Sequence, residues 1–280
     1  PVSFYQTAKI NNLEETSLRD PSIIFRAREN ETHIPEKASL NLPFKNVEEI
    51  SHVSFEEKQK IRSFGRCNKP EKPRFYASTS FMTASIEAIT TGFVEDPKSR
   101  GVTVGCWKII EPLSLAQINY SIPSLKYFLQ HDEELYGKMI DYASGLDAHH
   151  LKQITEENLY DPEFGEALMA ILSDEFAKID IKSDRDYMIS NFYCDHIFER
   201  TFVGDGKSQI DGILYPSASL SYQEYNIVLH PRAMKKLKFL NAMMVWVVHN
   251  DKTKQTQFIP LEQNAFSSSK GEIEWKKFNW

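Results

Sequence analysis

"GRCNKPEKPRFYASTSFMTASIEAI", Gly65 to Ile89, decides how the chain is read. It opens as a Gly-, Lys- and Pro-rich loop. "PRFYAS" (Pro73 to Ser78) then gathers residue types that favour strands. Thr79 and Ser80 follow, and either hydroxyl is a natural N-cap for a helix. Within that helix, residues at i, i+3 and i+7 share a face. Ser80, Thr83 and Glu87 therefore form one polar row, and Phe81, Ala84 and Ala88 an apolar one. A strand-helix unit with a carboxylate in its polar row suits a helix facing a polar cleft. Any half-exposed helix has the same spacing, so spacing alone leaves both readings open.

Working outward, the zone up to about Pro112 alternates short apolar runs with loops. "SIIFRAR" (Ser22 to Arg28) and "TVGCWKII" (Thr103 to Ile110) read as strands, the second stopping at Pro112. "NVEEISHVSFEEKQKIRSF" (Asn46 to Phe64) reads as loop or short helix. From roughly Tyr120 to Gly206 the periodicity turns helical. Leu125, Phe128, Leu129, Leu135, Tyr136, Met139 and Ile140 recur near 3.6 residues, and Asp161-Pro162 opens a second helix as N-cap and first position. "SDRDYMISNFYCDHIFERTF" is a third amphipathic stretch. Beyond it strands return: "DGILYPS" (Asp211 to Ser217), "YNIVLHP" (Tyr225 to Pro231), the buried run "FLNAMMVWVV" (Phe239 to Val248), and a hairpin turning at Asn250 to Lys252. Strands, then helices, then strands predict one α+β domain over residues 1–280 with a helical insertion at about 120–206. No Pro/Gly/Ser-rich linker divides it.

Composition narrows the function. The 280 residues carry 33 basic against 39 acidic side chains, a formal net charge of −6, which gives no global field for nucleic acid or anionic membrane. The basic run "RAMKKLK" (Arg232 to Lys238) reads as a solvated edge. No apolar run reaches the ~18 residues of a membrane helix, and "PVSFYQTAKI" lacks the features of a signal peptide. Cys67, Cys106 and Cys194 are far apart and show no metal-binding pairing, so neither a disulfide framework nor structural zinc is expected. A cytoplasmic location fits these features. His149-His150 and the Cys194 to Glu199 cluster lack metal-site geometry, and no metal is expected. Absence of Gly-x-Gly-x-x-Gly and of a Walker loop excludes Rossmann and P-loop nucleotide binding.

Three blocks, in order, resemble the RES domain family. The first is the aromatic-Arg pair Phe25-Arg26. The second combines Gly65-Arg66-Cys67-Asn68, Tyr76-Ala77-Ser78 and Thr83-Ala84-Ser85-Ile86-Glu87. The third is Gly212-Ile213-Leu214-Tyr215-Pro216-Ser217, followed by Asn226. The resemblance spans the two strand zones and leaves out the helices between them. It implies an ADP-ribosyltransferase-like mixed β-sheet core and an enzyme that cleaves the nicotinamide-ribose bond of NAD+. Water or inorganic phosphate captures the ribosyl carbon, so NAD+ is a substrate and no cofactor is needed. It further implies a toxin of a toxin-antitoxin pair, with a DNA-binding antitoxin as partner; the net charge leaves no direct contact with nucleic acid expected.

The residue chemistry assigns roles within that expectation. An arginine fork suits bidentate phosphate contact, so Arg26 and Arg66 are expected at the diphosphate, with Arg28 a lesser candidate on the face Arg26 uses. Glycosidic cleavage passes through an oxocarbenium-like state, and Glu87 is expected to stabilise its charge. Nicotinamide leaves neutral, so one carboxylate suffices. Tyr76 is expected to stack on nicotinamide or bond a ribose hydroxyl, Ser217 to orient Glu87 or touch ribose or phosphate, and Asn226 to contact NAD+. No Gly-x-Ser-x-Gly surrounds Ser217, so it is not read as a nucleophile. Two alternatives stand beside this reading. One is ADP-ribosyl transfer to a protein or nucleic acid; the other is a non-enzymatic interaction domain on the same fold.

Overall fold

The computed structural model describes residues 6–9, 22–30, 44–89, 99–118, 170–176, 178, 181–199, 210–217, 224–250, 255–266 and 271–277. Their strands are β1 (Gln6–Lys9), β2 (Ile23–Glu29), β3 (Phe75–Ser78), β4 (Ser99–Ile109), β5 (Ser114–Gln117), β6 (Gly212–Pro216), β7 (Tyr225–Leu229), β8 (Leu237–Asn250), β9 (Gln255–Phe266) and β10 (Ile273–Lys277). They join one sheet in the order β1-β5-β6-β7-β3-β2-β4-β8-β9-β10. Only β5 and β6 pair in parallel; every other neighbouring pair is antiparallel. Both strand zones of the sequence thus build the same sheet, a mixed α+β architecture with few helices among the described residues. No helix among the described residues is long and apolar enough to cross a membrane.

Helix α1 (Phe81–Ile89) follows β3 after two residues. Ser80 Oγ accepts from the Thr83 amide at 3.3 Å, satisfying a donor that helix geometry leaves open. Helix α2 (Met188–Glu199) follows a 3-10 turn at Asp184–Tyr187, and residues 170–176 are also helical. The expected loop or short helix after Asn46 is two 3-10 turns, Val47–Ile50 and Lys58–Lys60. The hairpin is the β8/β9 pair, closing at Asn250↔Gln255. Its turn, and most of the expected helical insertion including His149-His150, lie outside the described residues. The short strands β1, β5 and β10 do not announce themselves in the sequence, because four or five residues are too few for a clear alternation.

Strand alternation sorts side chains onto two faces. One face carries Ile24, Phe75, Ala77, Trp107, Ile227 and Leu229, covered by Ile50 and Phe44. Phe75 and Phe239 both meet Trp107 edge-on, with centroids 5.2 Å apart in each case. The other face is covered in two patches. Phe81, Ala88 and Ile89 of α1 pack on Phe25, Val102, Val104, Val245 and Val247. Tyr193, Cys194, Ile197 and Phe198 of α2 pack with Tyr76, Ile213, Tyr215 and Val228. Fully burying one such side chain contributes roughly 1.5–3 kcal/mol, so these two helices are held by apolar contact.

His230 follows β7 and caps the 3-10 turn Pro231–Lys236, its ring nitrogen Nδ1 accepting from the Arg232 amide at 3.2 Å. Burial, then Arg232, Arg74 and Lys72, lower its pKa from 6.5 to about 4. The unfolded chain therefore binds a proton that the folded chain refuses, and stability falls as pH drops from 6.5 towards 4. Asn keeps a capping oxygen without titrating. We expect the melting temperature of His230→Asn to fall less than that of the parent over this window, as read by thermal melts at pH 7, 5.5 and 4.

Candidate active site

Register brings the site together. Ser78 on β3 lies opposite Asn226 on β7, and Asn226 lies opposite Tyr215 on β6. Ser217 follows the end of β6 two residues beyond Tyr215, so period two places it on the same face. α1 crosses that face with Glu87 near its end. Ser217 Oγ donates to Glu87 Oε1 at 2.8 Å, and Asn226 Nδ2 donates to the same oxygen at 2.9 Å. Ser78 Oγ donates to Asn226 Oδ1 at 2.6 Å. Ser78, Asn226 and Ser217 are buried, and Glu87 is half-buried. Buried polar groups are costly unless paired, and here each satisfies the next.

Tyr76 lies on the same face, two residues before Ser78 on β3. Its hydroxyl accepts from the Cys67 amide at 2.7 Å and donates to Asn68 Oδ1 at 2.9 Å. Burial, outweighing its bond to the Cys67 amide and the pull of Arg74 and Arg66, pushes its pKa up to about 12. The phenol is thus a fixed neutral bridge between strand and loop. Tyr215 is buried, and burial raises its pKa well above 10.0. Arg66 draws it down while Glu87 pushes it further up, so the fields of both charges reach this one hydroxyl.

Arg66 reaches the rim of this region from the loop. It donates to the Glu175 carbonyl at 3.0 Å and the Lys178 carbonyl at 2.8 Å, and its guanidinium lies 5.9 Å from the Tyr187 ring centroid. The same loop is fastened to α2. Asn191 Nδ2 donates to the Gly65 carbonyl at 2.5 Å, and Cys67 is joined to Cys194 by a disulfide, Cα to Cα 5.5 Å. That crosslink departs from the expectation of unpaired cysteines. A sequence separation of 127 hides it, and only the docking of the loop on α2 brings the two together. Asp195 and Glu199 make ion pairs with the same loop before β3: Asp195 meets Lys69 and Arg74, and Glu199 meets Lys72.

Arg26 and Arg28 are elsewhere. Alternation along β2 puts them with Ile24 on the opposite face of the sheet. Arg26 lies 5.2 Å from the Phe75 ring centroid and donates to the Tyr76 carbonyl at 2.9 Å. Its pKa is lowered from 12.5 to about 9, by burial and then by Arg28. Arg28 stacks 5.2 Å from the Phe44 ring centroid and donates to the Glu49 carbonyl. The two arginines share a face, as expected, but the structure does not bring them to the carboxylate. Glu87, Ser217, Asn226 and Tyr76 are brought to one face, with Arg66 beside them. Ser78, Asn68 and Tyr215 join them without a role assigned from sequence. Ser78 and Tyr215 could have been found by counting in twos from Tyr76 and Ser217.

Comparison with known protein families, with curated proteins and with solved structures finds no match for this chain.

Replacing Tyr76 by Phe removes the hydroxyl and leaves the Cys67 amide and Asn68 Oδ1 without it. An unsatisfied buried group costs about 1–3 kcal/mol. We expect Tyr76→Phe to lose stability in that range by urea unfolding, with the slope against urea unchanged.

Proposed function

We propose that the chain is an NAD+-degrading enzyme of the RES type, with an ADP-ribosyltransferase-like core, that cleaves the nicotinamide-ribose bond. The single observation that carries this reading is the Glu87 carboxylate oxygen receiving both Ser217 and Asn226. Those three residues come from the second and third blocks of the resemblance, 130 and 139 positions apart in sequence. Their meeting at one oxygen is what a working charge-stabilising group requires.

In this mechanism the C–N bond breaks with its electron pair passing to the nicotinamide nitrogen, whose positive charge is cancelled. Positive charge grows on the ribose, beside Glu87. The carboxylate is already oriented by two donors, so no reorganisation is needed as the charge develops. Arg66 supplies the cation for the diphosphate, with three N–H groups beyond the two given to carbonyls. Tyr76 has its hydroxyl taken by the loop and offers its ring to stack. Arg26 and Arg28 support β2 from the other face and take no part. Water or phosphate then forms the new bond to the ribosyl carbon through its oxygen and releases its proton to solvent. As a toxin the enzyme would deplete the NAD+ of its own cell, with a DNA-binding antitoxin as its partner.

The test is NAD+ loss and nicotinamide release by the purified protein, with and without phosphate, beside Glu87→Ala. Removing one group of this kind costs about 10²–10³ in rate, and we expect that loss. Phosphate dependence identifies a phosphorylase; its absence, a glycohydrolase. Labelled macromolecule in place of free ADP-ribose identifies a transferase. Intact NAD+ with the native protein, or equal rates with Glu87→Ala, overturns the reading.

A further inference from the structure

Ser78 lies next to the site without touching the carboxylate. It sits in the interior of the sheet, opposite Phe25 on one side and Asn226 on the other. Only 2% of it is exposed, on a face whose apolar patches hold Phe25 on one side and Tyr76 and Val228 on the other. A hydroxyl there needs a partner, and its partner is Asn226 Oδ1 at 2.6 Å. An asparagine side chain has an acceptor at one end and two donors at the other, and the two ends have almost the same shape. Sterics alone cannot choose between them. If Asn226 turned over, its oxygen would face the Glu87 carboxylate, two acceptors with no proton between them.

We propose that Ser78 is a positioning residue, whose hydroxyl holds the Asn226 oxygen so that the amide N–H faces Glu87. This inference rests on the reading of Glu87 given above for its effect on rate. Its geometric content does not need that reading. With Ser78 donating, one end of the amide is fixed from β3 and the other from α1. The carboxylate is then held from two directions, by Ser217 from the end of β6 and by Asn226 from β7. Without Ser78 the amide keeps one tether, and its oxygen is left buried and unpaired.

The test is a double-mutant cycle on kcat and KM for NAD+, with Ser78→Ala, Asn226→Ala and both together. Loss of one net hydrogen bond corresponds to about three- to tenfold. Ser78→Ala is expected to lower kcat by that factor with KM little changed. In the Asn226→Ala background the same substitution is expected to do nothing further, because Ser78 acts only through Asn226. An unchanged kcat in Ser78→Ala, or the same decrement in both backgrounds, overturns the proposal. Should Ser78→Ala not fold, Ser78→Cys, near serine in size and a weak donor, takes its place in the cycle. A second readout needs no activity. The Asn226 side-chain amide protons, assigned by their loss in Asn226→Ala, are expected to be shifted from the exposed-amide position in 15N NMR and to move in Glu87→Gln. In Ser78→Ala they are expected to relax towards the exposed position. If native protein leaves NAD+ intact, the enzymatic reading fails while this readout still decides on Ser78. Amide resonances identical in the native and Ser78→Ala proteins overturn it.

Discussion

A polar row in the middle of a β-sheet has no water to turn to. Ser78, Asn226 and Ser217 are buried on interior strands, and each must find its partner among the others or on α1. Glu87 closes the chain of donors, because an ionised carboxylate only accepts. This requirement fixes much else. β3 and β7 must keep their register, since a slip of one residue would turn Ser78 and Asn226 to the Phe75 side. α1 must also lie where its polar row meets the end of β6. The apolar contacts of Phe81, Ala88 and Ile89 hold it there.

The loop before β3 is held with comparable care. Tyr76 bridges its backbone, Asn191 and the Cys67–Cys194 crosslink bind it to α2, and Arg66 ties it to the helical residues before Lys178. The phenol of Tyr76 is thereby spent on structure. The hydroxyl that sequence chemistry offers to a ribose bonds the Cys67 amide and Asn68 here.

Much of this is legible in the sequence. The strand-helix unit at Gly65 to Ile89 stands as read, because residue type, N-cap and polar row agree over that stretch. Glu87, Ser217 and Asn226 were named, and the structure joins them at one oxygen. What spacing could not supply was which face of the sheet the carboxylate would occupy. Phe25-Arg26 reads as one motif, yet neighbouring residues on a strand point to opposite faces. Here Phe25 goes with α1 and Arg26 with Phe75. Nor could spacing reveal the Cys67–Cys194 pair, or that Ser78 reaches an asparagine 148 residues away.

The parallel pairing of β5 with β6 gives the long interval between them a topological duty. Parallel neighbours cannot be joined by a tight turn; the chain must travel back along the sheet before it re-enters. The stretch from Gln117 to Gly212 is that return path, so the helical zone is not an ornament on a finished domain. It cannot shrink to a hairpin without reversing β6, and with it the strand that delivers Ser217. The sheet insists that some such segment exist, and α2 within it carries the contacts that hold the loop before β3.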